Sequence, residues 1–327
     1  MTGTSTTERV SGRTTGEGGA VGVDIGGTKL LAVRLEPDGD VVSDAMSASP
    51  RSPEDLVEEV LTVASRLTAG RPGSIGVGVP GLVDHAGNLV FAPNLPGAVG
   101  GGLADALRAA QPDCRFWIGN DGTAACWAEH ERGAGAGASD MLMVTLGTGI
   151  GGGIVSAGRL VEGAHRYAGE FGHMVVDPNG PPCPCGKRGC WERYASGSGL
   201  GKLAREVAVA GGAGNLVGMA GGDPEAVKGE HVTAAAEAGD PSALEIMRLF
   251  GWWVAVGLAN LTNLFDPEVI VLGGGLVGAG EILLEPTRRA FQDLVEAASV
   301  RPPVTIVAAH LGPRAGAVGA GLLAAAC

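Results

Sequence analysis

Residues 20–35 read AVGVDIGGTKLLAVRL and residues 141–156 read MLMVTLGTGIGGGIVS, and these two stretches decide the fold. Each begins as a short apolar run, passes through a glycine-rich turn and returns as a second run. Short apolar runs bounded by turn residues are typical of buried strands. The repeated pattern predicts two α/β lobes that open alike and face each other, with both glycine turns pointing into the cleft between them.

Helix and strand signals fill the remaining chain. Ser52 precedes a proline and two acidic residues, as at a helix N-terminus, and apolar residues then recur at helical spacing up to Leu67. The glycine-rich segment 210–229 predicts a loop, while Thr233 and Asp240 mark helix starts. Further strands are predicted at Ser74–Val79, Phe116–Gly119, Val269–Leu272 and Val304–Ala308, and further helices at Leu103–Ala110 and Ala315–Ala326.

Composition limits the class of protein. The 327 residues are 45% hydrophobic, enough for one large or two medium cores, and carry a formal net charge of -12. This charge, without any Lys/Arg run, argues against a nucleic-acid surface, so an anionic substrate would need backbone N–H groups and a metal ion. The apolar stretch Gly251–Phe265 is too short for a membrane span and predicts a buried helix.

The first residues and the isolated cysteines predict the cellular location. Residues 1–19 are rich in Thr, Ser and Gly, lack the apolar core of a signal peptide, and predict a disordered tail. Cys114, Cys126 and Cys327 are expected to be unpaired thiols in a reducing cytoplasm. Together these features predict a cytoplasmic protein.

Three closely spaced cysteines, Cys183, Cys185 and Cys190, follow His173 in a loop rich in Gly and Pro. Thiolates and imidazole are preferred ligands of Zn²⁺, and four protein ligands would complete its tetrahedral shell, so the zinc would be structural. A disulfide or a redox pair is the alternative, but three cysteines leave one unpaired and a Cys-Pro-Cys bridge would be strained. His165 lies nearby as another imidazole.

The turn between the first two strands, Asp24 to Lys29, has glycines that let backbone N–H groups converge on a phosphate, and Thr28 adds a hydroxyl donor. It lacks the Walker spacing, and a plain hairpin turn is the alternative. Two other segments, Gly147–Gly152 and Gly273–Gly278, match Gly-x-Gly-x-x-Gly. The second, with Asp293 at a distance suited to a ribose hydroxyl, makes a dinucleotide-binding enzyme the alternative hypothesis, although too little sequence follows for that domain.

Acidic and polar residues supply candidates for catalysis. Asp121 follows a predicted strand, where α/β proteins bind ligands, and could act as a general base; a turn or helix cap is the alternative. Glu170 and His173 precede the cysteine loop and Glu192 follows it. If zinc holds that loop, these three can face one pocket and bind a polyhydroxylated ligand; a surface salt-bridge cluster is the alternative.

Taken together, these motifs closely resemble the ROK family of sugar kinases, and within it the actinobacterial ATP-dependent glucokinases. The resemblance covers Val21 to Leu323, and its most specific part is Glu170-Phe-Gly-His173 together with the cysteine loop and Glu192. It implies an actin-like ATPase (ribonuclease H-like) fold with an interlobe cleft. The small lobe would be residues 20–126 plus 316–327, and the large lobe, with the zinc loop, residues 127–315.

The resemblance also implies a reaction: transfer of the ATP γ-phosphoryl to the 6-hydroxyl of glucose, with Mg²⁺ on the nucleotide, Asp121 as general base and Asp24 near the metal's waters. Family members are commonly dimers or tetramers. Another hexose (mannose, N-acetylglucosamine or fructose), polyphosphate as donor, and a non-catalytic sugar sensor stay open. The implied sugar ligands are Asn94, Asn120, Asp121, Glu170, His173 and Glu192, and the implied nucleotide contacts are Gly26, Gly27, Thr28, Lys29, Gly147, Thr148, Gly149, Gly273, Gly274 and Gly275.

Overall fold

The structure, a computed structural model, describes residues 19–50, 52–92, 95 and 99–327. Apart from Gly19, the predicted disordered tail lies outside these residues. The described strands form two five-stranded sheets and a small hairpin. They are β1 (Ala20–Ile25), β2 (Lys29–Leu35), β3 (Val41–Ala48), β4 (Ser74–Val79), β5 (Leu82–Val83), β6 (Leu89–Phe91), β7 (Arg115–Asn120), β8 (Met141–Leu146), β9 (Ile150–Ser156), β10 (Arg159–Leu160), β11 (Val269–Gly273) and β12 (Thr305–Ala308).

Helices cover both sheets. The first begins where it is predicted, because the Ser52 side chain accepts a hydrogen bond of 3.1 Å from the Asp55 N–H, and its apolar face is buried. The α-helices are α1 (Pro53–Thr68), α2 (Leu103–Ala110), α3 (Asp121–Arg132), α4 (Glu192–Ala195), α5 (Gly197–Val209), α6 (Gly214–Met219), α7 (Gly229–Glu237), α8 (Pro241–Phe265), α9 (Glu281–Leu294) and α10 (Ala315–Ala326).

Both sheets have the same topology. The first has the order β3-β2-β1-β4-β7 and the second the order β10-β9-β8-β11-β12. In each, the three strands that begin the lobe pair antiparallel as consecutive hairpins, and the two added strands run parallel to the first. This duplicated mixed sheet is the actin-like, ribonuclease H-like fold, as predicted. It does not fit the alternative of a dinucleotide-binding domain, whose sheet is mostly parallel.

Two helices lie between the sheets. α3 and α10 pack against each other, and one core cluster joins residues of α3 and α10 with Val33 of the first sheet and Met143 of the second. The helix backbones are in direct contact, since a Cβ at Gly319 would lie 1.7 Å from the carbonyl oxygen of Ala124. Glycine at this position is therefore what allows the two helices to approach so closely.

α8 lies in the hydrophobic core that packs against the second sheet. Asp240 caps it by accepting a hydrogen bond of 2.9 Å from the Ala243 N–H, which confirms that predicted start. The predicted buried helix Gly251–Phe265 is its second half, although Leu264 and Phe265 are exposed. Among the described residues α8 is the one helix long and apolar enough to cross a membrane, but 56% of its apolar window is buried inside the protein. Burial of this kind is typical of a core helix.

Two local predictions are wrong. Segment 210–229 is not a continuous loop: it contains α6 and a 3-10 helix at Pro224–Ala226, and buried Leu216 anchors α6 in the core. Thr233 does not start a helix, because α7 begins at Gly229 and the Thr233 hydroxyl donates to the Gly229 carbonyl oxygen at 3.3 Å. Tertiary burial overrode the turn signal of the glycines in the first case.

Candidate active site

A cavity of about 600 Å³ lies between the two sheets. It is bounded by the carboxyl ends of β1 and β7 on one side and by the glycine turns after β8 and β11 on the other. Ligands in open α/β sheets bind at the carboxyl ends of strands, so this cavity is the candidate active site. It brings together many predicted site residues: Asp24, Asn120, Asp121, Gly147, Thr148, Gly149, Glu170, His173, Glu192, Gly273 and Gly274.

Asp121 is the first residue of α3, directly after β7. The preceding Asn120 orients this junction, because its side chain accepts a hydrogen bond of 2.9 Å from the Thr123 N–H and donates one of 3.1 Å to the Gly81 carbonyl oxygen. Burial raises the pKa of Asp121 to about 7, and the negative charges of Asp24 and Glu170 add to this. A carboxyl group that titrates near neutral pH is suited to general-base catalysis. Asn120 is thus the helix cap, and Asp121 remains available for chemistry.

Asp24 is the second-last residue of β1 and lines the cavity from the first sheet. Burial raises its pKa to about 6. Like Asp121, it is a carboxyl group with no cation within ion-pair distance among the described residues. A divalent cation or a bound water shell would favour its ionised form.

Three side chains form the polar wall next to the cysteine loop. His173 Nδ1 lies 3.6 Å from Glu192 Oε1, and His173 Nε2 lies 4.0 Å from Glu170 Oε2. Burial raises the pKa of Glu170, an effect that the neighbouring His173 opposes. The sequence-based prediction that these residues face one pocket is consistent with this arrangement, in which acceptors and an imidazole line one side of the cavity.

The predicted metal ligands also come together. The side-chain ligand atoms of His173, Cys183, Cys185 and Cys190 all lie within 4.8 Å of one another. The Sγ atoms of Cys185 and Cys190 are 3.6 Å apart, and Cys183 Sγ is 3.8 Å from His173 Nδ1. Zn–S bonds of about 2.3 Å at tetrahedral angles require ligand separations of about 3.8 Å. The four residues therefore fit a closed tetrahedral zinc site, and all three cysteines are free thiols rather than a disulfide.

The local chain geometry explains this fit. The Cys183 N–H donates to the Lys187 carbonyl oxygen at 2.8 Å, which folds the loop back so that Cys183 and Cys185 lie near Cys190. The Cys183 thiol also donates to Glu192 Oε1 at 3.0 Å. Burial and this carboxylate raise the pKa of Cys183, so a cation must displace its proton on binding. Glu192 therefore contacts the cysteine cluster and lines the cavity.

The glycine turns differ in where they lie. The Gly147–Gly149 turn lines the cavity, closed by a hydrogen bond of 3.0 Å from the Gly147 N–H to the Gly149 carbonyl oxygen. A Cβ at Gly149 would lie 2.9 Å from Glu192 Oε2, so the absence of a side chain lets this turn contact the polar wall. Gly273 and Gly274 lie beside it. The predicted turn Gly26, Gly27, Thr28 and Lys29 is a β-hairpin turn outside the cavity lining.

A second cavity of about 810 Å³ adjoins the first, and Gly275 lies in its wall. The two cavities share Gly147, Thr148, Arg193 and Ser198. The Ser198 hydroxyl donates to the Thr148 carbonyl oxygen at 2.9 Å and so connects the start of α5 to the glycine turn. No sequence motif pointed to Arg193 or Ser198 as site residues. Arg193 follows Glu192 directly and Ser198 is the second residue of α5, so their closeness in sequence to Glu192 was the available signal.

For one predicted sugar ligand the sequence is the sole source of evidence. Asn94 lies outside the described residues, so its role stays a prediction. Of the residues that line the cavity, Phe91 is nearest to Asn94 in sequence. Phe91 and Leu82, which also lines the cavity, belong to the hairpin of β5 and β6.

The fold and the cleft define the class of protein: an actin-like ATPase fold with two matching lobes and a ligand cavity between their glycine turns. A family model described as "ROK family" matches residues 20–326. The chain belongs to this family.

Similar proteins cover nearly all of the chain. The glucokinase of Streptomyces coelicolor is 37% identical over 311 residues, which is 93% of this chain and 96% of that protein. The glucokinase of Thermotoga maritima is 34% identical over 304 residues, 92% of this chain and 95% of that protein. The crystal structure of a ROK family glucokinase from Streptomyces griseus in complex with glucose and AMPPNP is 38% identical, with a TM-score of 0.81, and the match covers 94% of this chain and 99% of that one.

Proposed function

We propose that this protein is a sugar kinase that transfers the γ-phosphoryl group of ATP to the 6-hydroxyl of glucose. The observation that carries the proposal is the position of Asp121, a carboxyl group with a pKa of about 7, in a cavity between a glycine turn and a wall of polar side chains. The names of the similar glucokinases support glucose as the acceptor and ATP as the donor.

Asp121 acts as the general base. Its carboxylate accepts the proton of the 6-hydroxyl while that oxygen forms a bond to the γ-phosphorus, and the bond from this phosphorus to the bridging oxygen of ADP breaks. The Asp121 Oδ1 accepts a hydrogen bond of 2.8 Å from the Gly122 N–H, which holds one carboxylate oxygen in place. The other oxygen is then available for the substrate hydroxyl.

The polar wall binds the sugar. Glu170, His173 and Glu192 offer acceptors and an imidazole at separations of 3.6 to 4.0 Å, which suits neighbouring hydroxyl groups of a pyranose. Asn120 and, from the sequence, Asn94 complete the proposed set. With Nδ1 of His173 facing the cysteines, its Nε2 is the nitrogen that reaches the sugar.

A zinc ion would hold the cysteine loop and His173 in place next to the polar wall. His173, Cys183, Cys185 and Cys190 would hold one Zn²⁺, which as a closed tetrahedral site orders the loop and takes no part in the chemistry. Because His173 would ligate the metal and bind the sugar, the metal orients a sugar ligand directly.

The glycine turns bind the nucleotide. Backbone N–H groups of the Gly147–Gly149 turn would face the phosphates, and Gly273 to Gly275 would lie near the adenosine. Mg²⁺ bound to ATP would neutralise part of the phosphate charge, and Asp24 is the residue placed to hold its waters. The turn Gly26–Lys29 would complete the site when the lobe of residues 20–126 and 316–327 closes on the lobe of residues 127–315.

An assay of ADP release coupled to a reporter tests the proposal. With glucose and MgATP the wild-type protein should turn over, and Asp121→Asn should retain glucose binding but lose about 10²- to 10⁴-fold in kcat. The same assay with mannose, N-acetylglucosamine, fructose and polyphosphate ranks acceptors and donors. Glucose binding without any ADP release would instead support a sugar sensor. The cytoplasmic location and assembly as a dimer or tetramer stay predictions.

A further inference from the structure

Arg193 occupies the junction of the two cavities. It is the second residue of α4, directly after the proposed sugar ligand Glu192, and it lines both the cavity between the sheets and the adjoining one. Gly147 and Thr148 of the glycine turn line the same junction. A group that extends from the adjoining cavity towards Asp121 would pass beside these residues.

Within the described residues, the Arg193 guanidinium has no hydrogen-bond or ion-pair partner. Its Nε–H is buried and donates to no acceptor among the described residues, and no described carboxylate oxygen lies within 4.0 Å of its guanidinium nitrogens. A buried donor without an acceptor is destabilising, and such groups are rare in folded proteins. The arrangement is therefore explained most directly by an acceptor that a ligand supplies.

The charges around Arg193 indicate the kind of ligand. Four acidic side chains line the cavity between the sheets, namely Asp24, Asp121, Glu170 and Glu192, and in the described part of the chain Arg193 is the one Lys or Arg in that lining. A polyphosphate chain entering this acidic cavity needs a compensating cation. The planar guanidinium matches phosphate oxygens with two parallel N–H donors.

The other cations of the adjoining cavity already have partners. Lys202 Nζ lies 2.9 Å from Glu206 Oε1, and Lys228 Nζ lies 3.4 Å from Glu230 Oε1. Arg205 Nη1 donates to the Val227 carbonyl oxygen at 3.1 Å. Arg193 is thus the lining cation whose hydrogen-bonding capacity is least used by the protein itself.

We infer that Arg193 binds the terminal phosphates of the nucleotide and stabilises the negative charge that develops on the transferred phosphoryl group. This inference rests on the proposed kinase function and adds to it a phosphate-binding residue outside the glycine turns. Arg193 contacts the donor, and Glu192, its neighbour in sequence, contacts the acceptor. One short helix then positions both substrates.

Nucleotide binding and turnover of two variants test this role. Arg193→Gln removes the charge, and Arg193→Lys keeps the charge but not the two-pronged geometry. Arg193→Gln should weaken binding of a non-hydrolysable MgATP analogue roughly 10- to 100-fold in calorimetry, and kcat/KM for MgATP should fall at least as much. Arg193→Lys should recover part of both. Binding of AMP, which lacks the terminal phosphates, and of glucose should change less than about twofold.

A matched control is Arg289→Gln, which removes an exposed arginine of α9 and should behave as wild type. Melting temperatures of all variants show whether they fold. Equal loss of AMP and ATP-analogue binding, or unchanged binding and turnover in Arg193→Gln, would overturn the inference. If the wild type binds the analogue but phosphorylates no sugar, the proposed function fails, while the comparison of AMP with the analogue still decides the role of Arg193.

Discussion

The negative charge of Asp24, at the end of β1, raises the pKa of Asp121, at the start of α3, and this effect is second only to burial. Asp24 lies in β1 and Asp121 begins α3 directly after β7, and both carboxyl groups line one cavity. Like charges in a shared site disfavour ionisation of both groups. Part of the raised pKa of Asp121, the proposed general base, is therefore set by a residue proposed to hold the waters of the nucleotide's metal ion.

The pH profile should report this coupling. Asp121 must be deprotonated to accept a proton, so kcat/KM for glucose should fall about tenfold per pH unit below a pH of about 7. Asp24→Asn removes one source of the raised pKa and should move this acidic limb to lower pH, whatever it does to the maximal rate. An acidic limb that stays in place or moves upward in Asp24→Asn would contradict the coupling.

The stability of the fold should depend on pH in the opposite direction to activity, and should decrease as the pH rises. The folded-state pKa of Asp121 is raised above its unfolded value of 3.8, so the ionised group costs stability progressively as pH rises from about 4 to about 7. At pH 8 the free energy of unfolding of Asp121→Asn should exceed that of the wild type by about 1–3 kcal/mol, as measured by denaturant unfolding. At pH 5 the gain should be smaller. Asp113→Asn, at an 89% exposed side chain, is the control and should show no such gain. A less stable Asp121→Asn at pH 8 would refute the raised pKa.

Loss of zinc should affect the sugar more than the nucleotide. Cys185→Ser removes one ligand of the proposed site and so weakens the support that the metal gives to His173. Loss of such support for a binding residue typically costs 10- to 100-fold in affinity or activity. We expect glucose affinity, measured by calorimetry, to fall by about tenfold or more, with the metal lost in elemental analysis. Cys327→Ser, at an exposed thiol, is the matched control. A protein that is fully active and contains no zinc would rule out the structural role.

The contact between α3 and α10 should not tolerate a side chain at Gly319. Gly319→Ala places a methyl group 1.7 Å from the Ala124 carbonyl oxygen, so the helices must separate, at a cost of about 1–3 kcal/mol in denaturant unfolding. Gly218→Ala in α6 is the control, because nothing lies within 4 Å of its new Cβ. There a gain of about 0.5–1 kcal/mol is expected from helix propensity. Equal effects at both positions would argue against the close approach.

Local sequence signals were sufficient for much of this structure. The hairpins around Asp24 and Gly147, the cap at Ser52 and the start of α8 depend on neighbouring residues, and the structure confirms them. The cysteine ligands could be predicted because a short loop brings them together. Segment 210–229 was misread because the burial of Leu216, which depends on distant residues, decides its conformation.

The amino-acid sequence by itself determined the duplicated hairpin pattern, the four members of the His/Cys cluster and the carboxylate at position 121, because each depends on residue type and short-range spacing. The tertiary structure alone decided the pKa of that carboxyl group and left the buried Nε–H of Arg193 without an acceptor among the described residues. Both result from burial and from charges contributed by segments far apart in the chain. No pattern along the sequence contains those distances.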